Sequence, residues 1–291
     1  MFAARKLLKN LHPAISIIRM ANFTNFRLYL FPGLGYLCGM YSLFFRICFF
    51  LFTATGICAV TSAADFRVEN RVYSGGNKQP TSLSCSVFHQ ATVYDFLQNP
   101  AETTVFDKTA GRFVILDDTR RVRTELSTKD LEGFTQKMKD RAVKGQDPLM
   151  QFLAEPVFEE RYDPARRELI LSSDLVNYKA IVTSADNSVV SQYREFSDWY
   201  ARLNAILIPG SRPPFARLKL NEALARHEAV AREVTLTITT VKDGKNQPAT
   251  VRSEHLLSLA LTPADMERIE RARKSMTGYK LVSFDQYRQA K

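Results

Sequence analysis

The chain has 291 residues, 40 of them Lys or Arg against 30 Asp or Glu, for a formal net charge of +10. The first 64 residues hold Arg5, Lys6, Lys9, Arg19, Arg27 and Arg46 and no acidic residue, so the rest carries 34 basic and 30 acidic side chains, a net of only +4. A nucleic-acid binder concentrates basic charge on its folded domain; here the excess sits in the leader, and nucleic acid is not an expected partner.

Within that leader, Arg46 precedes the apolar run Ile47 to Val60, which ends in Thr61-Ser-Ala-Ala64. A positive flank, a short apolar core and small residues at −3 and −1 form the pattern of a secretory signal peptide. Ser62 and Ala64 occupy those two sites and place the mature start at Asp65. Met40 would open a signal peptide of 25 residues, which makes it a second candidate start and leaves residues 1–39 in question. The alternative is a retained anchor. Leu28 to Phe45 is also apolar, but Pro32 and glycines interrupt it and Arg46 cuts it from the next run. Neither piece reaches the roughly 20 apolar residues of a spanning helix. The spacing Gly35 to Gly39 matches a helix-dimerisation motif only on a span too short to use it. Cys58 makes a poor lipidation site, with bulky Ile57 before it. The expectation is an exported protein, periplasmic or extracellular, touching membrane through the leader alone if that is uncleaved.

Cys38, Cys48 and Cys58 fall in the leader, and Cys85 by itself cannot form an intramolecular disulfide. The 227 residues after Ala64 can bury a core without staples. They read as a single α+β domain with a soft boundary near Pro209 to Pro214.

Phe66, Val68, Asn70 and Val72 alternate with Arg67, Glu69, Arg71 and Tyr73, the period of a half-buried strand. Ser74-Gly-Gly-Asn77 turns the chain, and Leu83, Cys85 and Val87 then alternate with Ser82, Ser84 and Ser86. Thr92 to Leu97, Glu102 to Phe106, Arg112 to Leu116 and Arg121 to Leu126 follow as short strands, which predicts an antiparallel meander. Ser127 and Asp130 have the form of a capping box for a helix through Leu131, Phe134 and Met138. Leu149 to Leu153 adds a helical turn, and Phe158 to Tyr162, Glu168 to Leu171 and Val176 to Val182 read as strands. Tyr193, Phe196, Tyr200, Leu203 and Leu207 step by three and four residues, an apolar stripe predicting a helix from Val189 to Leu207. A second helix runs through Leu218, Leu220 and Leu224. A hairpin from Val234 to Leu261 turns at Asp243-Gly244 through a loop longer than two residues. A basic helix starts at Thr262-Pro263, and Tyr279 to Phe284 reads as a last edge strand.

Little of this carries chemistry. His89, His227 and His255 lack metal-ligand spacing, no G-x-S-x-G elbow is present, and no catalytic set, metal site or cofactor is predicted. Asp117-Asp118 reads as a turn held by local side-chain bonds. Glu195 and Asp198 could form an acid/base pair in a cleft, or a solvated flank balancing Arg194 and Arg202. Arg268, Arg271, Arg273 and Lys274 could touch an acidic membrane, or form a solvated helix face.

Tyr94-Asp-Phe96, Thr103-Thr-Val-Phe-Asp107, Phe113-Val-Ile-Leu-Asp117 and Arg121-Val-Arg-Thr-Glu125 succeed one another as meander strands. This pattern resembles the strands of exported proteins with a lipoprotein-carrier (LolA-like) architecture. The stretch Tyr193 to Asn204 with Pro213-Pro214 is similar to an uncharacterised exported bacterial family. The carrier resemblance implies a curved antiparallel sheet packed on several helices, a half-barrel whose concavity takes acyl chains. Leu83, Val87, Phe113, Ile115, Val122 and Leu126 are then the candidate lining. The chain departs from that pattern in lacking a helix before the first strand and in its helical insert at 189–228, which could fill the concavity. The expected function is non-catalytic binding of an apolar ligand, a lipid or lipoprotein acyl chain, or of an envelope partner protein. The alternatives are an envelope hydrolase using some of His89, Asp117, Asp198 and His255, and a purely structural domain.

Overall fold

A computed structural model describes residues 64–208, 210–242 and 245–289. The leader, with its apolar runs, Met40 and Cys58, lies outside the described residues apart from Ala64. The meander forms strands β1 (Phe66–Ser74), β2 (Ser82–His89), β3 (Thr92–Leu97), β4 (Glu102–Asp107), β5 (Arg112–Asp117) and β6 (Val122–Ser127). Helices α1 (Thr128–Lys144) and α2 (Pro148–Ala154) follow, then β7 (Glu159–Asp163), β8 (Glu168–Ser172) and β9 (Val176–Ser184). Helices α3 (Asn187–Leu207) and α4 (Phe215–Arg226) precede the hairpin β10 (Ala229–Lys242) and β11 (Lys245–Ser258). The chain closes with α5 (Pro263–Gly278), β12 (Lys280–Leu281) and α6 (Phe284–Gln289).

All twelve strands join one sheet in the order β12-β6-β5-β4-β3-β2-β1-β11-β10-β9-β8-β7. Every pairing is antiparallel except β12 with β6. The seam is β1, which pairs with β2 from Phe66↔Phe88 to Val72↔Ser82 and with β11 from Arg67↔Ser258 to Ser74↔Val251. The N-terminal meander and the C-terminal hairpin are thereby parts of one ladder. A hydrogen bond from Asn221 on α4 to Asp198 on α3 spans the expected soft boundary at 2.6 Å.

Both faces of the meander are covered, so several strands are buried on both sides. On one face Phe66, Phe88, Phe106, Phe113, Ile115 and Leu126 pack with Phe196, Trp199, Tyr200 and Leu203 of α3. On the other, Cys85, Val87, Tyr94, Val105, Val114 and Leu116 pack with Ile269 and Ala272 of α5. β5 shows the consequence: Phe113, Val114, Ile115 and Leu116 are each no more than 1% exposed, and full burial of such side chains stabilises by roughly 1.5–3 kcal/mol apiece. A third cluster joins β8, β9 and β10 to α2 and α4 through Leu169, Tyr178, Leu220 and Leu236.

Local signals explain the element ends. Ser127 and Asp130 make the reciprocal capping box of α1, and Thr262 and Asp265 make another at α5. Gly111 closes the β4–β5 turn at φ 58°, a left-handed conformation that glycine adopts without strain. Two expectations are corrected. The hairpin ladder pairs as far as Lys242↔Lys245, leaving only positions 243 and 244 between its strands, so the loop is two residues long. The last edge strand ends at Leu281, and Phe284 opens a helix. Gln286 N donates to Ser283 Oγ and Ser283 N to Gln286 Oε1, at 3.2 and 3.1 Å, a capping box that starts α6 where the apolar run suggested a strand.

Candidate ligand cavity

Asn70 and Val72 of β1 point to the α3 face, in phase with Phe66 and Val68. The antiparallel register then puts Ser82, Ser84 and Ser86 of β2 on that face too, because Val72 pairs with Ser82, Asn70 with Ser84 and Val68 with Ser86. Asp95 of β3 lies opposite Ser86, and His255 of β11 opposite Asn70. Across from these strands, α3 presents Tyr193, Phe196, Ser197, Tyr200, Asn204 and Leu207 over four turns. The two surfaces do not meet fully. They line a partly open pocket of about 240 Å³, whose wall also includes Glu102, Tyr287 and Arg288.

The strand wall of the cavity is polar and internally bonded. Asn70 Nδ2 donates to Ser84 Oγ at 3.3 Å, to Ser86 Oγ at 3.1 Å and to the Val68 carbonyl at 3.3 Å. Ser86 Oγ donates to Asp95 Oδ1 at 2.7 Å, and the Tyr200 hydroxyl donates to Asp95 Oδ2. With its amide nitrogen committed, Asn70 offers Oδ1 to His255 Nδ1 at 2.9 Å, which places the imidazole proton on Nδ1. His255 Nε2 then accepts from Ser253 Oγ at 2.9 Å. Burial, and next the positive charge of Arg217, push the His255 pKa down to about 3, so the ring is uncharged at neutral pH. Arg217 itself is 2% exposed on α4, and burial works against its own charge. At the other end the Tyr287 hydroxyl donates to Glu102 Oε2 at 2.8 Å, and desolvation, followed by Glu102, raises the phenol pKa. Among the described residues that line the pocket, Asn204 holds a buried side-chain nitrogen, Nδ2, with no partner, on a residue 1% exposed.

None of the six candidate lining residues from the sequence borders this cavity. Phe113, Ile115 and Leu126 are buried in the core under α3, and Val122 packs against it. Val87 lies on the opposite face under α5, and Leu83 shares its strand phase, beside a surface groove with Arg71 and Lys78. The physical reason is that both faces of β2 are covered. Its apolar phase faces α5, and its serine phase faces the cavity.

The other singled-out residues scatter. His89 Nδ1 meets Asp65 Oδ2 at 2.7 Å, and His227 meets Glu160 at 2.9 Å while stacking on Tyr162 at 4.0 Å. Asp117 accepts from the Arg120 backbone and Nε, both at 2.8 Å, as a turn residue does. Asp118 accepts from the Tyr279 hydroxyl at 2.8 Å. Glu195 forms an ion pair with Lys108. Asp198 is 6% exposed between α3 and α4 and does not border the cavity; desolvation raises its pKa to about 7 against the opposing pull of Asn221, Arg194 and Arg202. Of these, only His255 reaches the cavity. The sequence did hold signals for its other polar members: Asn70 interrupts the apolar phase of β1, and Asn204 follows Tyr200 by one helical turn on the apolar stripe. Among the described residues, no group of His, Cys, Asp or Glu is placed to hold a metal ion, and no helix is long and apolar enough to cross a membrane.

Among the described residues, fold and pocket together define an α+β protein with a helix-covered, twelve-stranded sheet and a partly open pocket beside α3. No protein-family model matches the chain, and no curated protein does. A solved structure, PNGF-II in a P21 crystal form, is similar over 76% of this chain at 10% identity and a TM-score of 0.30. The match takes in 32% of that chain, so this protein spans about a third of its length. A likeness at that level bears on neither fold nor chemistry.

Proposed function

We propose that this is a non-catalytic, exported cell-envelope protein that holds the apolar chain of a lipid or lipoprotein between a LolA-like half-barrel sheet and α3. The observation that carries this reading is the reach of the pocket's lining. The α3 residues on its wall run from Tyr193 to Leu207, roughly 21 Å at 1.5 Å per residue, long enough for a linear chain to lie along. Strands β11, β1, β2, β3 and β4 all contribute to it. Five neighbouring strands span about 19 Å, and their convergence on one cavity supports a concave sheet. The volume lies below the roughly 300–1,000 Å³ of ordinary small-molecule pockets, which favours a single chain over a bulky ligand.

Two rivals fare worse. A structural domain would have the concavity plugged by Tyr193, Phe196, Tyr200 and Leu203; the stripe fills much of it, yet the cavity persists beside it. A hydrolase could be read into the order Ser253, His255, Asn70, which imitates nucleophile, base and orienting group. Ser253 is 1% exposed and absent from the cavity wall, and His255 titrates far below the near-neutral range a general base needs.

Native mass spectrometry with lipid extraction, on protein purified from its own envelope fraction, tests the reading. An acyl lipid at fixed stoichiometry is the expected result. A clean protein mass, with no binding of a hydrophobic fluorescent probe, would sink it and favour the structural domain.

A further inference from the structure

We infer that the groove between α5 and the β5–β6 turn binds a phosphate ester, either free or as a lipid headgroup. The groove lies on the meander face covered by α5, opposite the pocket beside α3, so phosphate binding there does not depend on chain binding. It measures about 590 Å³, within the roughly 300–1,000 Å³ of small-molecule sites and far more than a lone ion needs. Arg268, Arg271 and Lys274 recur at every third position of α5 and line one side. Arg121 lines it from the β5–β6 turn. Arg121 has φ 53°, the left-handed place that Gly111 takes in the preceding hairpin, so the turn itself does not call for an arginine.

Pairing separates these four cations from an ordinary solvated helix face. Arg273, the remaining cation of that α5 run, is committed elsewhere: it donates to the Tyr94 hydroxyl at 3.2 Å and to Glu270 at 2.7 Å, and it does not border the groove. Among the described residues, neither Arg121 nor Lys274 has an ion pair, and Arg121 lies 6.0 Å from the Tyr279 ring centroid. Arg271 reaches Glu267 at 3.7 Å with both side chains well exposed. Arg268 stands 4.0 Å from Asp265, a carboxylate already shared with Arg67 at 3.5 Å. The acidic groups on the lining are engaged: Asp118 accepts from the Tyr279 hydroxyl, and buried Glu102 accepts from Tyr287 of the α3-side core, each at 2.8 Å. Four cations therefore face one space in which Asp118 is the exposed carboxylate. A phosphate ester matches that surplus, because it carries nearly two negative charges and three acceptor oxygens near neutral pH, and guanidinium forks hold such oxygens bidentately. A carboxylate, with one charge, would leave most of the surplus unmet. The part-exposed rings of Phe96 and Tyr279 leave an apolar margin for the body of the ester.

Calorimetric titration of the full chain with glycerol 3-phosphate in low-salt Hepes, beside co-sedimentation with phosphatidylcholine vesicles containing or lacking phosphatidic acid, tests this. Saturable binding of glycerol 3-phosphate, with none of glycerol, assigns the free ester; binding confined to the phosphatidic acid vesicles assigns the headgroup. Lys274→Gln and Arg121→Gly should each weaken the observed binding by about three- to fivefold, the scale of one part-exposed charge pair, and by about tenfold together. Glycine suits the backbone at position 121 and Lys274 is exposed, so the urea midpoint should hold in both variants. Lys137→Gln, on the exposed side of α1 and off the groove, removes the same charge and should change nothing. A wild type that binds neither probe overturns the inference. So does binding that the two groove variants retain, or that Lys137→Gln weakens equally. All of these outcomes leave chain binding untouched, since an apolar probe reports it separately.

Discussion

Replacing Asp198 with Asn should stabilise the protein at alkaline pH and leave it nearly unchanged below about pH 3.8. Asp198 is 6% exposed between α3 and α4; it accepts from Asn221 at 2.6 Å and has Arg194 at 3.6 Å. Desolvation outweighs those partners and carries its pKa from 3.8 to about 7. The folded state thus binds the proton more tightly than the unfolded chain. Its contribution is complete below pH 3.8 and is lost as pH climbs through about 7. At about 1.4 kcal/mol per tenfold, that gap sets a ceiling of roughly 4 kcal/mol. The part-exposed Arg194 recovers some of it, so a gain of about 1–2 kcal/mol for Asp198→Asn at pH 8.5 is the expected outcome. Asparagine keeps the acceptor for Asn221 and mimics the protonated acid, so wild type and variant should coincide only near pH 3.5, below the unfolded pKa. Urea unfolding at both pH values reads the difference through the midpoint at constant slope. A variant less stable than wild type at pH 8.5 would refute the reasoning. It would mean that attraction to Arg194 and Arg202 exceeds the cost of burying the charge.

His255 should act in the opposite sense. Its pKa is held near 3 in the fold against 6.5 in the free side chain, so stability should fall as pH drops from about 6.5 towards 3, and His255→Gln should flatten that acid limb in urea titrations. Phe113→Ala should cost about 3–5 kcal/mol, because the ring is fully buried and stacked on Phe106 at 4.6 Å. Because Phe113 does not border the cavity, the folded variant should bind an apolar probe as wild type does, and loss of that binding would place the ligand under β5. Cys85 is 5% exposed, and burial pushes its thiol up to about 11; it should resist a thiol reagent in the native state and react fully in urea. Fast native labelling would show that α5 does not seal that face.

Most of the elements were legible from period and punctuation. Strands β1, β2 and β6 announce themselves by alternation and β3 to β5 as short runs between turns, α1 by the Ser127–Asp130 box, and α3 by an apolar stripe that recurs in the structure as a buried face. At Phe284 the sequence carries a readable signal in Ser283 and Gln286, a capping pair that outweighs the short apolar run. The cavity was less legible. Alternation along β2 says that Leu83, Cys85 and Val87 share one face and Ser82, Ser84 and Ser86 the other, and a serine face reads as solvent. Nothing local says that α5, placed almost 180 residues later, covers the apolar phase, or that α3 covers the serine phase.

The sequence by itself determined the periods, caps and turns, and hence an α+β chain with an antiparallel meander and an aromatic helix, since these depend on contacts within a few residues. Tertiary structure decided which face of each strand is inside, because β1 pairs with β11 from Arg67↔Ser258 to Ser74↔Val251, far apart in the chain, and helices cover both sides of the meander. It also decided that Asn70, Asp95, Asn204 and His255 share one cavity, each polar group coming from a different element. Local periodicity carries no information about such meetings; they are fixed only when the sheet register and the seat of α3 are fixed together.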